Sequence, residues 1–85
     1  MRVQVGTVNH YFNRIGVAVL GLTGELQVGD RIHILGHTTD FEQVITSMEI
    51  NHKKVEAVKP GDDVALKVRD KVRGGDVVYK VDEET

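Results

Sequence analysis

A short phrase, Gly-Asp followed by a β-prone run, recurs three times in this chain and does most to limit how it can fold. It reads Val28-Gly29-Asp30-Arg31-Ile32-His33-Ile34, then Pro60-Gly61-Asp62-Asp63-Val64-Ala65-Leu66, then Gly74-Gly75-Asp76-Val77-Val78-Tyr79. Glycine reaches positive φ without a Cβ penalty, and aspartate hydrogen-bonds nearby backbone. A chain that turns sharply into a new strand again and again is a small β-structure. With 85 residues and no cysteine, neither disulfides nor thiolate metal sites can staple it. Closure of the sheet is the remaining economy, since it also removes exposed edges. The expectation is therefore all-β: a single closed barrel of six or seven antiparallel strands over residues 1–81, followed by an acidic tail at 82–85.

The strands follow from patterning. Arg2 to Phe12 alternates valines with polar residues, with a parity shift near Gly6 that marks a bulge. Asn13-Arg14 is a turn, and Arg14 to Leu22 a strand with Ile15, Val17 and Val19 on one face and Gly16, Ala18 and Leu20 on the other. Thr23-Gly24 turns the chain, and Leu26 and Val28 lead into the first Gly-Asp turn. Arg31 to Leu35 is a strand, and Thr39 to Asn51 the longest one, with a bulge between Phe41 and Val44. His52 to Lys59 is a polar connection, with room for a short helical turn near Asn51–Val55. Lys59-Pro60-Gly61-Asp62 fits a type II turn, with Pro presetting φ and Gly supplying the positive one. Asp63 to Arg69 and Val77 to Val81 complete the sheet.

Formal net charge is −2, from 13 acidic and 11 basic residues, so a surface built wholly for nucleic acid is excluded but a local basic patch is not. No leader-like segment and no run of 18 apolar residues occurs, so the expectation is a soluble, unprocessed, cytoplasmic protein without membrane contact.

Several segments carry a family resemblance. Gly16-Val17-Ala18-Val19, Gly24-Glu25-Leu26-Gln27-Val28-Gly29-Asp30, Lys59-Pro60-Gly61-Asp62-Asp63-Val64 and Arg73-Gly74-Gly75-Asp76 resemble the second domain of translation GTPases of the elongation factor Tu type. Val8-Asn9-His10-Tyr11-Phe12, Gly36-His37-Thr38-Thr39-Asp40-Phe41 and Lys71-Val72-Arg73 with Gly75-Asp76-Val77-Val78-Tyr79-Lys80-Val81 resemble the C-terminal barrel of U32, collagenase-like, peptidases. The match runs from about Val3 to Val81. Neither a peptidase catalytic domain nor a phosphate-binding G-x-x-x-x-G-K-[ST] loop is present. The resemblance therefore implies the accessory barrel alone: a non-catalytic module that holds RNA, such as tRNA, or a protein substrate. The alternative is a subunit docking onto a separately encoded U32-type peptidase or translation factor.

Three groups of residues are candidates for ligand contact. Lys67, Arg69, Lys71 and Arg73 recur at every second position and would project together from an extended chain. By resemblance to translation factors, this loop faces the acceptor end of tRNA. The plainer reading is a solvated strand face. His37, Thr38, Thr39 and Asp40 offer hydroxyls and a carboxylate beside Gly36, or else satisfy one another and the turn. His10, Tyr11 and Arg14 place an aromatic and two basic groups together. With Phe12 adjacent, one aromatic should be buried and the other exposed, and an exposed Tyr11 would stack a base. Both rings serving as core or rim packing is the plainer reading.

No catalytic or metal set can be named, and no cofactor is implied. His33 and His37 are four apart, but Gly36 intervenes and no helix would bring them to one face. Ser47 has no local histidine, and Asp62-Asp63 belongs to the turn.

Overall fold

The computed structural model describes residues 2–81. The expected acidic tail, Asp82-Glu83-Glu84-Thr85, lies outside them. The chain forms strands β1 (Arg2–Phe12), β2 (Val17–Leu22), β3 (Leu26–Gln27), β4 (Arg31–Leu35), β5 (Asp40–Val44), β6 (Met48–Ile50), β7 (Lys53–Val55), β8 (Ala57–Val58), β9 (Asp63–Lys67) and β10 (Val77–Val81). Among the described residues no helix is long and apolar enough to cross a membrane.

The three Gly-Asp phrases share one turn. Gly29, Gly61 and Gly75 have φ of 100, 94 and 95°. The amides of Asp30, Asp62 and Asp76 each donate to the carbonyl three residues back, on Gln27, Lys59 and Arg73, at 3.1, 3.1 and 3.0 Å. Each aspartate then returns its carboxylate: Oδ2 accepts from the amide of Gln27 at 2.9 Å, Lys59 at 3.0 Å and Arg73 at 2.9 Å. The positive φ at the third position is the type II signature, and the carboxylate satisfies the amide such a turn leaves open.

The strands build an eight-stranded sheet in the order β5-β4-β10-β1-β2-β9-β6-β7, and β3 and β8 form a two-stranded ribbon. Every pairing is antiparallel. This strand inventory exceeds the six or seven expected, and among the described residues no ladder joins β5 to β7. A side chain of β5 reaches instead the end of β9 and the segment after it. The amide of Gln43 donates to the Lys67 carbonyl at 2.8 Å and accepts from the Arg69 amide at 2.8 Å.

The register against β10 slips between Gln4 and Gly6, as the parity near Gly6 predicts, and that against β2 slips again between Val8 and His10. Other expectations need correction. β2 starts at Val17 rather than Arg14, because Gly16 adopts φ 67° and ends the turn. The supposed long strand from Thr39 splits into β5 and β6. No bulge lies between Phe41 and Val44; the break comes at Ile45, which is fully buried. Ile45 leaves the sheet to exchange hydrogen bonds with Gly29 and Asp30, both at 2.8 Å. The polar connection after Asn51 contains β7 and β8. In place of a helical turn, Asn51 and His52 take φ of 52 and 66° between the paired Ile50 and Lys53, a type I′ hairpin.

The core is aliphatic. Leu20, Ile32, Ile34 and Val64 lose all solvent contact, with Val8, Ala18, Leu26, Met48, Leu66 and Val78 around them. Tyr11 and Phe41 close it from the rim.

Candidate functional site

Three of the segments singled out in the sequence meet at one end of the sheet. Two hydrogen bonds string the basic run along the β1–β2 hairpin. The Val68 amide donates to Gly16 at 2.9 Å near the hairpin tip, and the Gly75 amide to Val8 at 2.8 Å further down. Between these anchors Val68 and Val72 are buried while Lys67, Arg69, Lys71 and Arg73 are exposed. The alternation holds although only Lys67 lies in a strand, because the two valines act as pegs. Asp70 is exposed among the cations. Arg69 is partly committed: its Nη1 donates to the Glu42 carbonyl at 3.2 Å.

The hairpin tip presents His10, Tyr11, Phe12, Asn13, Arg14 and Ile15 around an open recess of about 410 Å³. The tip is turned by the Gly16 amide, which donates to Phe12 at 2.9 Å. Phe12 is 46 % exposed and Ile15 61 %. The His10 and Phe12 rings meet edge to face, with centroids 4.4 Å apart. Phe12 is the more exposed ring, while Tyr11 is partly buried, packing against the core and also lining the recess. The slip between Val8 and His10 resets which side chains face inward.

The segment from His37 to Asp40 is the β4–β5 turn, closed by the Gly36 amide donating to Thr39 at 2.8 Å. His37 and Thr38 are exposed, whereas Thr39 is buried. Gly36 leaves room for a neighbour: a Cβ there would collide with Asp76 Oδ1. Asp40 is engaged too. Its Oδ1 lies 2.6 Å from Nε2 of His33, which is buried. His33 Nδ1 faces Glu42 Oε2 at 3.8 Å, beyond hydrogen-bond reach. Reading Gly36-His37-Thr38-Thr39 as a hairpin turn pairs His33 with Glu42 and was the signal for this contact, since the register follows from the turn. Thr38, Thr39, Asp40 and Phe41 share a recess of about 340 Å³ with Asp70 and Lys71, so two candidate segments line one depression. Among the described residues no three His, Asp or Glu side chains gather as a metal site. Asp62 is used by its turn, and Asp63 Oδ1 accepts from Asn9 Nδ2 at 3.4 Å.

No protein-family profile matches this chain. It is 41 % identical over 83 residues to an uncharacterized protease of Methanocaldococcus jannaschii, covering 96 % of this chain and 20 % of that protein. It is 35 % identical over 83 residues to a collagenase of Porphyromonas gingivalis, covering 95 % and 20 %. Elongation factor 1-alpha of Pyrobaculum islandicum is 40 % identical over 73 residues, 79 % of this chain and 16 % of the factor. The chain thus spans about a fifth of the length of the protease and collagenase relatives. Among solved structures, the C-terminal domain of a Geobacillus thermoleovorans U32 peptidase superposes with a TM-score of 0.87 at 22 % identity, over 92 % of this chain and 91 % of that domain. Both resemblances read from the sequence, to U32 peptidases and to elongation factors, recur in these comparisons.

Proposed function

We propose that this chain is a non-catalytic accessory module that holds RNA against the basic, aromatic-edged end of its sheet. The observation that carries the reading is the alternation at 67–73. Buried Val68 and Val72 turn Lys67, Lys71 and Arg73 to solvent beside a hairpin offering Arg14, Phe12 and His10. In this reading the cations take phosphates as point charges and forks, and Phe12, braced by His10, stacks a base, worth about 1–3 kcal/mol. Arg69 contributes from the margin because its guanidinium already serves Glu42. Thr38, Thr39 and Asp40 line the recess shared with Lys71, and His37 is the exposed residue preceding them. The net charge of −2 confines the contact to this patch. Its setting is cytoplasmic, in keeping with a chain without cysteine.

An amide-resolved NMR titration with bulk tRNA, at low and near-physiological salt, tests the proposal. Shifts confined to 10–16, 37–41 and 67–75 that weaken with salt are expected. Three or four neutralised phosphates give a log–log salt slope of roughly −2 to −4, and Lys71→Ala reduces its magnitude by about 1. Absence of shifts at either salt refutes RNA binding.

A second reading is a docking module for a larger catalytic polypeptide of the U32 type. The chain's match to one fifth of the protease relatives favours it. Co-purification with such a polypeptide, abolished by Phe12→Ser together with Ile15→Ser, would support it over the first.

A further inference from the structure

Resting on the docking reading above, we infer that the end of the sheet opposite the hairpin tip, at Val3, Gly24, Glu25 and Lys80, is the surface that packs against a larger U32-type polypeptide. The core runs out there without a cap. Val3 pairs with Lys80 and Lys80 with Ile32, and residues directly opposite one another share a face. Ile32 has no solvent contact, so this row points into the core, yet Val3 is 53 % exposed. With the buried Val5 it lines a recess of about 400 Å³, rimmed by Gly24, Glu25 and Lys80. Gly24 keeps the recess open. The Thr23 and Gly24 amides both donate to the Val5 carbonyl, at 2.8 and 3.1 Å, and a Cβ on Gly24 would lie 3.0 Å from Val5 Cγ1.

The position of the chain ends selects the occupant. Arg2 pairs with Val81, so both ends of the described chain leave beside this recess. The protease and collagenase relatives match over one 83-residue stretch that is a fifth of their length, so their remaining polypeptide joins the matched module through one of those two ends. Either end brings it out next to Val3. The tip lies at the other end of β1, 11 residues and about 30 Å of strand away, which leaves it and the basic loop free for ligand.

Charge agrees with a polypeptide rather than a nucleic acid. The one cation among the side chains lining the recess, Lys80, has its Nζ 3.4 Å from Asp30 Oδ2, so it is already neutralised. Glu25 is exposed and, among the described residues, makes no hydrogen bond or ion pair. A partner surface that offers an apolar side chain to Val3 and Val5, with a basic side chain beside it for Glu25, complements this end of the sheet.

The test places the photo-crosslinking residue benzoylphenylalanine at Val3 or, in a second variant, at Phe12, in the cells where the chain occurs, and identifies the adducts by mass spectrometry. Expected is an adduct with a U32-type polypeptide, at least about tenfold stronger from position 3 than from position 12. Glu25→Lys in the position-3 variant should weaken it at least about fivefold and leave thermal unfolding unchanged, because Glu25 is exposed and holds no partner within the domain. Adducts equal from the two positions, or stronger from position 12, would overturn the inference and move docking to the tip while the docking reading stands. An adduct indifferent to Glu25→Lys, or one from position 3 with a second copy of this chain alone, would also overturn it. A U32-type adduct from neither position would remove the docking reading together with this surface.

Discussion

Replacing Asp76 with alanine should destabilise the domain more than the equivalent change in either sister turn. Asp76 is 6 % exposed, and its Oδ2 accepts from the Arg73 amide at 2.9 Å. A hydrogen bond to a charged group contributes about 1.5–3 kcal/mol, and truncation strands the Arg73 N–H. A loss of about 2 kcal/mol corresponds to a fall in Tm of roughly 8–16 °C for a domain of this size. Asp62 and Asp30 keep more solvent, so their alanine variants should lose about 1 kcal/mol. The carboxylate of Asp76 also fills the space over Gly36. Gly36→Ala alone forces that group aside, at about 1–3 kcal/mol for overpacking. Once Asp76 is alanine the space is open, and the added methyl should be nearly neutral. Urea unfolding of the four proteins in this cycle measures the coupling, expected to exceed about 1 kcal/mol. Additivity within about 0.5 kcal/mol, the behaviour of independent sites, would refute the contact. So would equal losses from Asp76→Ala and Asp62→Ala.

Other expectations follow from single contacts. His52 sits at φ 66° in the β6–β7 turn, so His52→Gly should raise stability by about 0.5–1 kcal/mol in thermal unfolding. Gln43→Ala removes both links to Lys67 and Arg69, and should lower stability by about 2 kcal/mol and specifically accelerate exchange of the Arg69 amide. Leu20→Ala, at a position with no solvent contact, should cost about 2–5 kcal/mol, whereas Phe12→Ser should leave unfolding within about 0.5 kcal/mol and act only on ligand binding.

Turn chemistry was the most legible layer. The Gly-Asp turns, the Pro60-Gly61 turn and the bulge near Gly6 all stand where their residues predict, and so do the inward Val64, Leu66 and Val68. The strand from Thr39 was misread because Val44, Thr46, Met48 and Ile50 alternate convincingly, while Ile45 is the residue the core takes. The candidate site was half legible. The exposure of Lys67, Arg69, Lys71 and Arg73 follows from alternation, and the structure adds the two valine pegs that enforce it. Thr39 is buried, which the local pattern does not show, and Asp40 stays exposed with one carboxylate oxygen on His33.

The sequence alone determined where the three Gly-Asp turns fall and that the chain is all β, because a glycine at positive φ and a carboxylate three residues from its amide are contained within four residues. Only the tertiary structure decided which segments meet. The Gln43 bridge to Arg69, the inward Tyr11 and outward Phe12, and the gathering of the hairpin tip with the basic loop depend on register accumulated over several strands. A one-residue slip exchanges the faces of a strand, and no local propensity specifies where such slips fall.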